Sequence, residues 1–387
     1  MQATRIGVVG TGFIATGLTY LINQSSDFVV SCVLTRRPLN TLSDFPTPHL
    51  THALQQVLDT SDIVVECSGD AIHATEVILA ATQAGKKVVT INSEFHVTSG
   101  SYFAQRGDYV TEADGDQPGC LARLKLEVEG MGFKPRAYIN LKGFLNPDPT
   151  EADMQYWSEK QNLALDQVVS FTDGTKLQIE QAFVANGLGG TIAPGGITGR
   201  RIEKLEDLDY LVEIADEVGL PLADFVLCNG APPGVLIVGQ HPDVKRIPGY
   251  LPYSRLSTTG GLGTVLLRPY HLTHLEVLNT LRQVVAGAPI LLNNSVTPRV
   301  NVAAVAKRNI KPGEVIKKGA GGFDVRGKAV EIIDVPDAVP ICLLQHTRVV
   351  RELARDDIVR FEHVELADTQ ALGLYREILE NVLPVAA

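Results

Sequence analysis

The stretch Arg5-Ile-Gly-Val-Val-Gly-Thr-Gly-Phe-Ile-Ala-Thr-Gly17 constrains the fold most, because a short apolar run leads straight into Gly10-x-Gly12-x-x-Ala15 and then a helical pattern. Such a junction is the phosphate-cradling turn of a dinucleotide fold. Gly10 permits the tight turn, Gly12 removes the side chain that would block a pyrophosphate, and Ala15 lets the helix pack close to the strand. The N–H groups of the helix start face the anion. Gly10, Gly12, Phe13, Ile14 and Ala15 are the expected cofactor contacts. A tight turn that binds nothing uses the same string, but this one opens the chain and is followed, one helix length later, by a second apolar run over 28–34.

The residues just after that second run bear on the cofactor. An NAD site places Asp or Glu there for the ribose 2′-OH, whereas this chain has Thr35, Arg36 and Arg37. Two guanidiniums suit a 2′-phosphate, which needs charge-assisted donors, so NADP(H) is the expected cofactor. The alternative is that both arginines form a solvated loop. Strand and helix then alternate, with strands over 62–67 and 88–92 and a helix over 71–84, a right-handed parallel crossover pattern. Ligands of such sheets sit beyond the strands' carboxyl ends. Ser68, Gly69, Asn92 and Glu94 are thus expected near the nicotinamide, with an ordinary helix-start turn as the alternative at Ser68 and Gly69.

The length of 387 residues implies two or three domains at ~150 each, and 45% hydrophobic residues support buried cores. A net charge of −10 without any Lys/Arg-dense run argues against nucleic acid or a membrane surface as partner. No apolar stretch approaches ~18 residues and no signal-like segment opens the chain, so a cytoplasmic protein is expected. The five cysteines are scattered without a CxxC, which reads as buried thiols.

The expected fold class is α/β: a Rossmann-type parallel sheet over 1–125, an α+β substrate and dimerisation domain over 126–299, and a small β-rich module over 300–387 that ends in a helix over 369–379. In the second domain, Lys176 and Glu180 are four apart on a helix expected to start near Thr175, so they share a face. They make either a surface ion pair or, given the apolar neighbours Phe171, Leu177, Ile179 and Phe183, a partly desolvated proton-holding pair. The Gly-rich loop 187–199 with Arg200 and Arg201 is either a phosphate-binding loop or a flexible one. His271, His274 and Glu276 could ligate a metal but lack an established metal-helix spacing.

The strings Glu112-Ala-Asp-Gly-Asp-Gln-Pro-Gly119, Asn140-Leu-Lys-Gly143, Asp173-Gly-Thr-Lys176 with Glu180 and Ala185-Asn186, and Arg268-Pro-Tyr-His-Leu272 resemble the homoserine-dehydrogenase-like oxidoreductases, closest to the deoxyxylulose phosphate reductoisomerase-like group. The last module looks like a SAF domain, a unit also found in sialic acid synthases and antifreeze proteins. The resemblance implies an NADP(H)-dependent oxidoreductase, a homodimer or higher homo-oligomer, acting on a small polyhydroxylated, phosphorylated or unphosphorylated carbonyl compound. One departure counts against homoserine as substrate: such dehydrogenases carry a lysine soon after the Asn that ends the fifth strand, and Asn92 is followed here by Ser93 and Glu94.

Reduction of a carbonyl builds negative charge on its oxygen and needs a proton donor or fixed positive charge. Lys176 is the expected donor, Glu180 its orienting partner, and Lys142 the holder of the other end of the carbonyl or of a phosphate. Asp116, Asp173, Asn186 and His271 are expected to bind substrate, with Asp116 and Asp173 the oxygen ligands if Mg²⁺ or Mn²⁺ takes part. Two alternatives stay open: a homoserine-type dehydrogenase, and a non-catalytic cofactor sensor or carbohydrate-binding protein.

Overall fold

The apolar runs of the N-terminal third become strands buried on both faces, as a parallel sheet requires. The structure, a computed structural model, describes residues 3–243 and 256–383. Strands β1 (Thr4–Val9), β2 (Phe28–Leu34), β3 (Leu50–Thr51), β4 (Ile63–Glu66), β5 (Lys87–Thr90) and β6 (Val110–Glu112) form one sheet in the order β3-β2-β1-β4-β5-β6. All five pairings are parallel, the strand order of a dinucleotide-binding Rossmann fold. Ile6, Val8 and Val65 pack on one face with Leu18 and Ile22 of helix Phe13–Asn23. Val9, Val64 and Val88 pack on the other with Val77 and Ile78 of helix Ala71–Gln83. Gly7 is required where a Cβ would come within 2.6 Å of Val57 Cγ1.

The chain divides into two compact units: Met1–Gly119, Leu272–Val296 and Thr369–Ile378 form the first, and Cys120–His271, Thr297–Asp368 and Leu379–Ala387 the second. The expected cuts at 125 and 299 treat the domains as consecutive, whereas here the chain returns. Val277, Leu281 and Val284 of helix Val277–Val285 complete the first unit's core, and Leu374 of the final helix, Gln370–Val382, packs with Val77 and Ile78. Residues 384–387 of the expected last module lie outside the described residues.

In the second unit, β7 (Lys134–Lys142), β8 (Arg201–Ile202), β9 (Leu222–Cys228), β10 (Val235–Gln240) and β11 (Thr264–Arg268) form a mixed sheet in the order β11-β10-β7-β9-β8. Ile139, Leu141, Val226, Leu236 and Val238 face helix Asp209–Val218. The opposite face, to which Asn140 points by strand alternation, meets helix Thr175–Gly187. That helix also packs on β12 (Val300–Ala306) and β14 (Val325–Glu331), an antiparallel pair. Being covered on both sides, it is buried nearly all round, with Glu180, Gln181 and Asn186 among the buried residues. Antiparallel β13 (Val315–Lys318), β15 (Gln345–Val349) and β16 (Val364–Glu365) complete the unit.

Candidate functional site

In the first unit the turn after β1 has an open side. Gly10 lies at φ +111°, and a Cβ there would sit 3.0 Å from the Cys67 carbonyl oxygen. Gly12 has an ordinary φ of −85° as the helix N-cap, and a Cβ built on it meets nothing within 4 Å. The second glycine thus keeps space clear instead of relieving strain, which fits a pyrophosphate resting on the helix-start N–H groups. Ala15 is buried, Ile14 packs on the core, and Phe13 is exposed with its ring edge-on to His274 at 5.3 Å.

Beyond β2, the Thr35 and Thr11 hydroxyls are 2.9 Å apart, and Arg37 Nη1 donates to the Thr11 carbonyl at 3.1 Å. Both anchor this segment to the glycine turn. Arg36 Nη2 lies 2.9 Å from Asp70 Oδ2, with 61% of the arginine side chain exposed. The carboxylate beside Arg36 thus comes from the loop that follows β4, where Asp70 also caps helix Ala71–Gln83 by accepting from the Ile72 and His73 N–H groups.

A buried carboxylate that the sequence pattern does not mark joins the ends of β4 and β5. Glu66 accepts from the Ser68 N–H at 2.7 Å, the Thr90 hydroxyl at 3.1 Å and the Asn92 amide at 3.0 Å. Burial pushes its pKa up against the pull of these donors. Asn92 Oδ1 in turn caps Phe95, in the short helix that holds Glu94. A π-helical turn comes next, His96–Gly100, and in it buried His96 lies 3.2 Å from buried Glu112. Burial pushes His96 down to about 3.

In the second unit a chain of polar side chains runs between helix Thr175–Gly187 and β7. Lys176, with 14% of its side chain exposed, lies 3.9 Å from Glu180 Oε1, itself buried. Glu180 Oε2 accepts from Asn140 Nδ2 at 2.7 Å. Lys142 is half-buried two residues further along β7, on the same strand face as Asn140. Of the two readings of the Lys176–Glu180 string, the structure has the desolvated pair.

The expected substrate ligands fare differently. Asp173 forms a buried ion pair with Lys307, 2.6 Å from Asp173 Oδ2, while its Oδ1 accepts from the Thr175 N–H at 2.9 Å. Burial raises its pKa despite the lysine. Asn186 is an anchor for β12: Oδ1 accepts from the Arg299 and Val300 N–H groups and Nδ2 donates to the Val300 carbonyl, each at 2.9 Å. These partners give Asp173 and Asn186 roles in the helix's seating where substrate contact was expected. Asp116 closes the 114–116 turn of the first unit, whereas His271 ends the 120–271 segment of the second.

The Gly-rich loop is anchored. Buried Asp224 accepts from the Thr198 N–H and hydroxyl and from the Gly199 N–H at 2.7–3.1 Å. Arg200 stacks over the Tyr210 ring at 4.3 Å, and Arg201 donates to Asn229 at 3.2 Å. The His274 ring fills the space a side chain on Gly17 would need, and Glu276 accepts from the Leu272 N–H at 2.8 Å. Among the described residues no three His, Cys, Asp or Glu side chains group as a metal cluster. All five cysteines are buried thiols. No helix among the described residues is long and apolar enough to cross a membrane.

Residues 115–277 match the family model described as oxidoreductase DRL, catalytic domain, and residues 10–104 match that of the homoserine dehydrogenase NAD binding domain. Those two segments are thus similar to an oxidoreductase catalytic domain and to an NAD-binding domain, respectively. No curated protein matches it. Among solved structures it is similar to a UDP-N-acetylglucosamine 3-dehydrogenase from Acidithiobacillus ferrooxidans, with 13% identity over 76% of this chain and 93% of that one and a TM-score of 0.43. It is also similar to homoserine dehydrogenase of S. aureus, with 21% identity over 34% of this chain and 40% of that one and a TM-score of 0.24. Biliverdin reductase from Synechocystis sp. PCC 6803, solved with biliverdin and NADP+, matches at 18% identity over 38% of this chain and 49% of that one, with a TM-score of 0.28. The matched part thus spans less than half of the latter two proteins.

Proposed function

We propose that the protein is an NADP(H)-dependent reductase of a small polyhydroxylated carbonyl compound, with phosphorylated deoxyketoses the first class to test and reductoisomerisation its most specific form. The observation that carries this reading is the largely buried Lys176 beside Glu180, whose carboxylate is fixed by Asn140. A reduced nicotinamide, when bound, supplies the hydride. Gly10, Gly12 and the helix start would hold its pyrophosphate, and Arg36 and Arg37 a 2′-phosphate.

The protein's own residues then deal with the oxygen. As the carbonyl carbon takes up hydride, its oxygen becomes an alkoxide, and Lys176 Nζ gives it a proton or holds its charge. Glu180, 3.9 Å from Lys176 Nζ, orients the lysine. Asn140, donating to the other Glu180 oxygen, aims the carboxylate. Lys142 binds the far end of the substrate, and β12 and β14, from the segment read as a SAF-like module, stabilise the helix that carries Lys176.

The test is oxidation of NADPH, and separately of NADH, with and without Mg²⁺ or Mn²⁺, against phosphorylated ketoses, aldonates, sugar aldehydes and aspartate semialdehyde. NADPH-specific turnover of a polyhydroxylated compound is expected. Turnover of aspartate semialdehyde alone would move the protein to the homoserine-type reading, and cofactor binding without any turnover to the sensor.

A further inference from the structure

The helix that carries Lys176 and Glu180 begins on a charge supplied by a distant part of the chain. Asp173 stands three residues before Lys176 and is buried; one of its oxygens takes the Thr175 N–H and the other the Lys307 ammonium, at 2.9 and 2.6 Å. Lys307 is itself fixed. Its ammonium also donates to the Gly322 carbonyl at 3.0 Å, and its N–H bonds the Asp324 carbonyl at 2.8 Å. Gly174, at φ +84°, turns the chain into the helix, and the Thr175 hydroxyl accepts from the Gly327 N–H at 2.9 Å. One turn on, Gln178 Oε1 accepts from the Ala329 N–H at 2.8 Å. The first turn of this helix is thus held by residues 307–329 as well as by its own neighbours in sequence.

We infer that Lys307 is a positioning residue for the reaction: through Asp173 it fixes the start of helix Thr175–Gly187 and thereby the place of Lys176. The inference rests on the proposed role of Lys176. A buried carboxylate that loses its lysine must shift, pick up a proton or recruit water, and each response moves the Thr175 N–H it caps. A displacement of about 1 Å at a catalytic group is enough to cost on the order of a hundredfold in rate.

The experiment uses the full chain with labelled lysines and follows the Lys176 side-chain NMR signal, assigned by its loss in Lys176→Arg, alongside steady-state kinetics. Lys307→Met is expected to shift that signal and to lower kcat about tenfold to a hundredfold, with the KM for NADPH within about twofold. Lys307→Arg should return both toward the parent values. Because Lys307→Met strands a buried charge, Asp173→Asn with Lys307→Met, which removes both charges and keeps an acceptor for Thr175, carries the same test if the single variant does not fold. Ile316→Val, at the one buried position of β13, controls for general loosening and should leave the Lys176 signal in place. A folded Lys307→Met protein with an unmoved signal and parental kcat overturns the inference. Parental turnover by Lys176→Ala would instead overturn the proposed function, while the NMR signal would still report on Lys307.

Discussion

At the scale of single residues, the two glycines of the first turn separate stability from binding. Gly10 needs its backbone conformation, so Gly10→Ala should cost about 1–3 kcal/mol of unfolding free energy from its positive φ and the nearby Cys67 carbonyl. Gly12→Val has open space on the protein side, so the urea midpoint should hold while NADPH affinity falls at least about tenfold; calorimetric titration and denaturation on the same samples distinguish the two. Arg36→Ala should weaken 2′,5′-ADP binding and leave 5′-AMP binding unchanged, and equal loss of both would remove the 2′-phosphate from the account. His96 makes a pH prediction. Burial holds it neutral with its pKa pushed down to about 3, whereas an unfolded histidine titrates near ~6.5. The unfolded chain therefore binds the extra proton first, and this contribution is complete above ~6.5 and shrinks as pH falls toward 3. Urea midpoints of the parent should drop more steeply between pH 7.5 and 5 than those of His96→Gln; parallel curves would contradict the assignment.

At the scale of elements, helix Thr175–Gly187 shows both what a sequence reveals and what it hides. Asn186 ties its end to β12 through three hydrogen bonds, so Asn186→Ala should cost about 2–4 kcal/mol in chemical denaturation. Its start near Thr175, and the face shared by Lys176 and Glu180, could be read from spacing because both are local. The first strand, glycine turn and helix were legible for the same reason. The partners of Asp173 and Asn186, Lys307 and the 299–300 backbone, could not be read from spacing because they lie more than a hundred residues away. Glu66 read as one letter of a buried strand, and only the convergence of the ends of β4 and β5 reveals it as the acceptor for Ser68, Thr90 and Asn92. Asn140 likewise gains its meaning from a strand-to-helix contact that periodicity cannot supply.

At the scale of the whole molecule, the C-terminal residues belong to both units: Thr297–Asp368 to the second and Thr369–Ile378 to the first. A chain ending at residue 299 would strip β12 and β14 from a helix buried on both sides and remove Leu374 from the first unit's core. It should therefore fail to yield folded protein by circular dichroism, and a soluble, active truncation would refute this. In the proposed reaction Lys176 serves the developing alkoxide, and the first unit would bind NADPH independently of it. The most direct measurement is NADPH affinity and substrate turnover of Lys176→Ala beside the parent enzyme. Unchanged NADPH affinity with turnover lowered about 10²–10⁴-fold is the predicted result, and turnover within twofold of the parent would contradict the account.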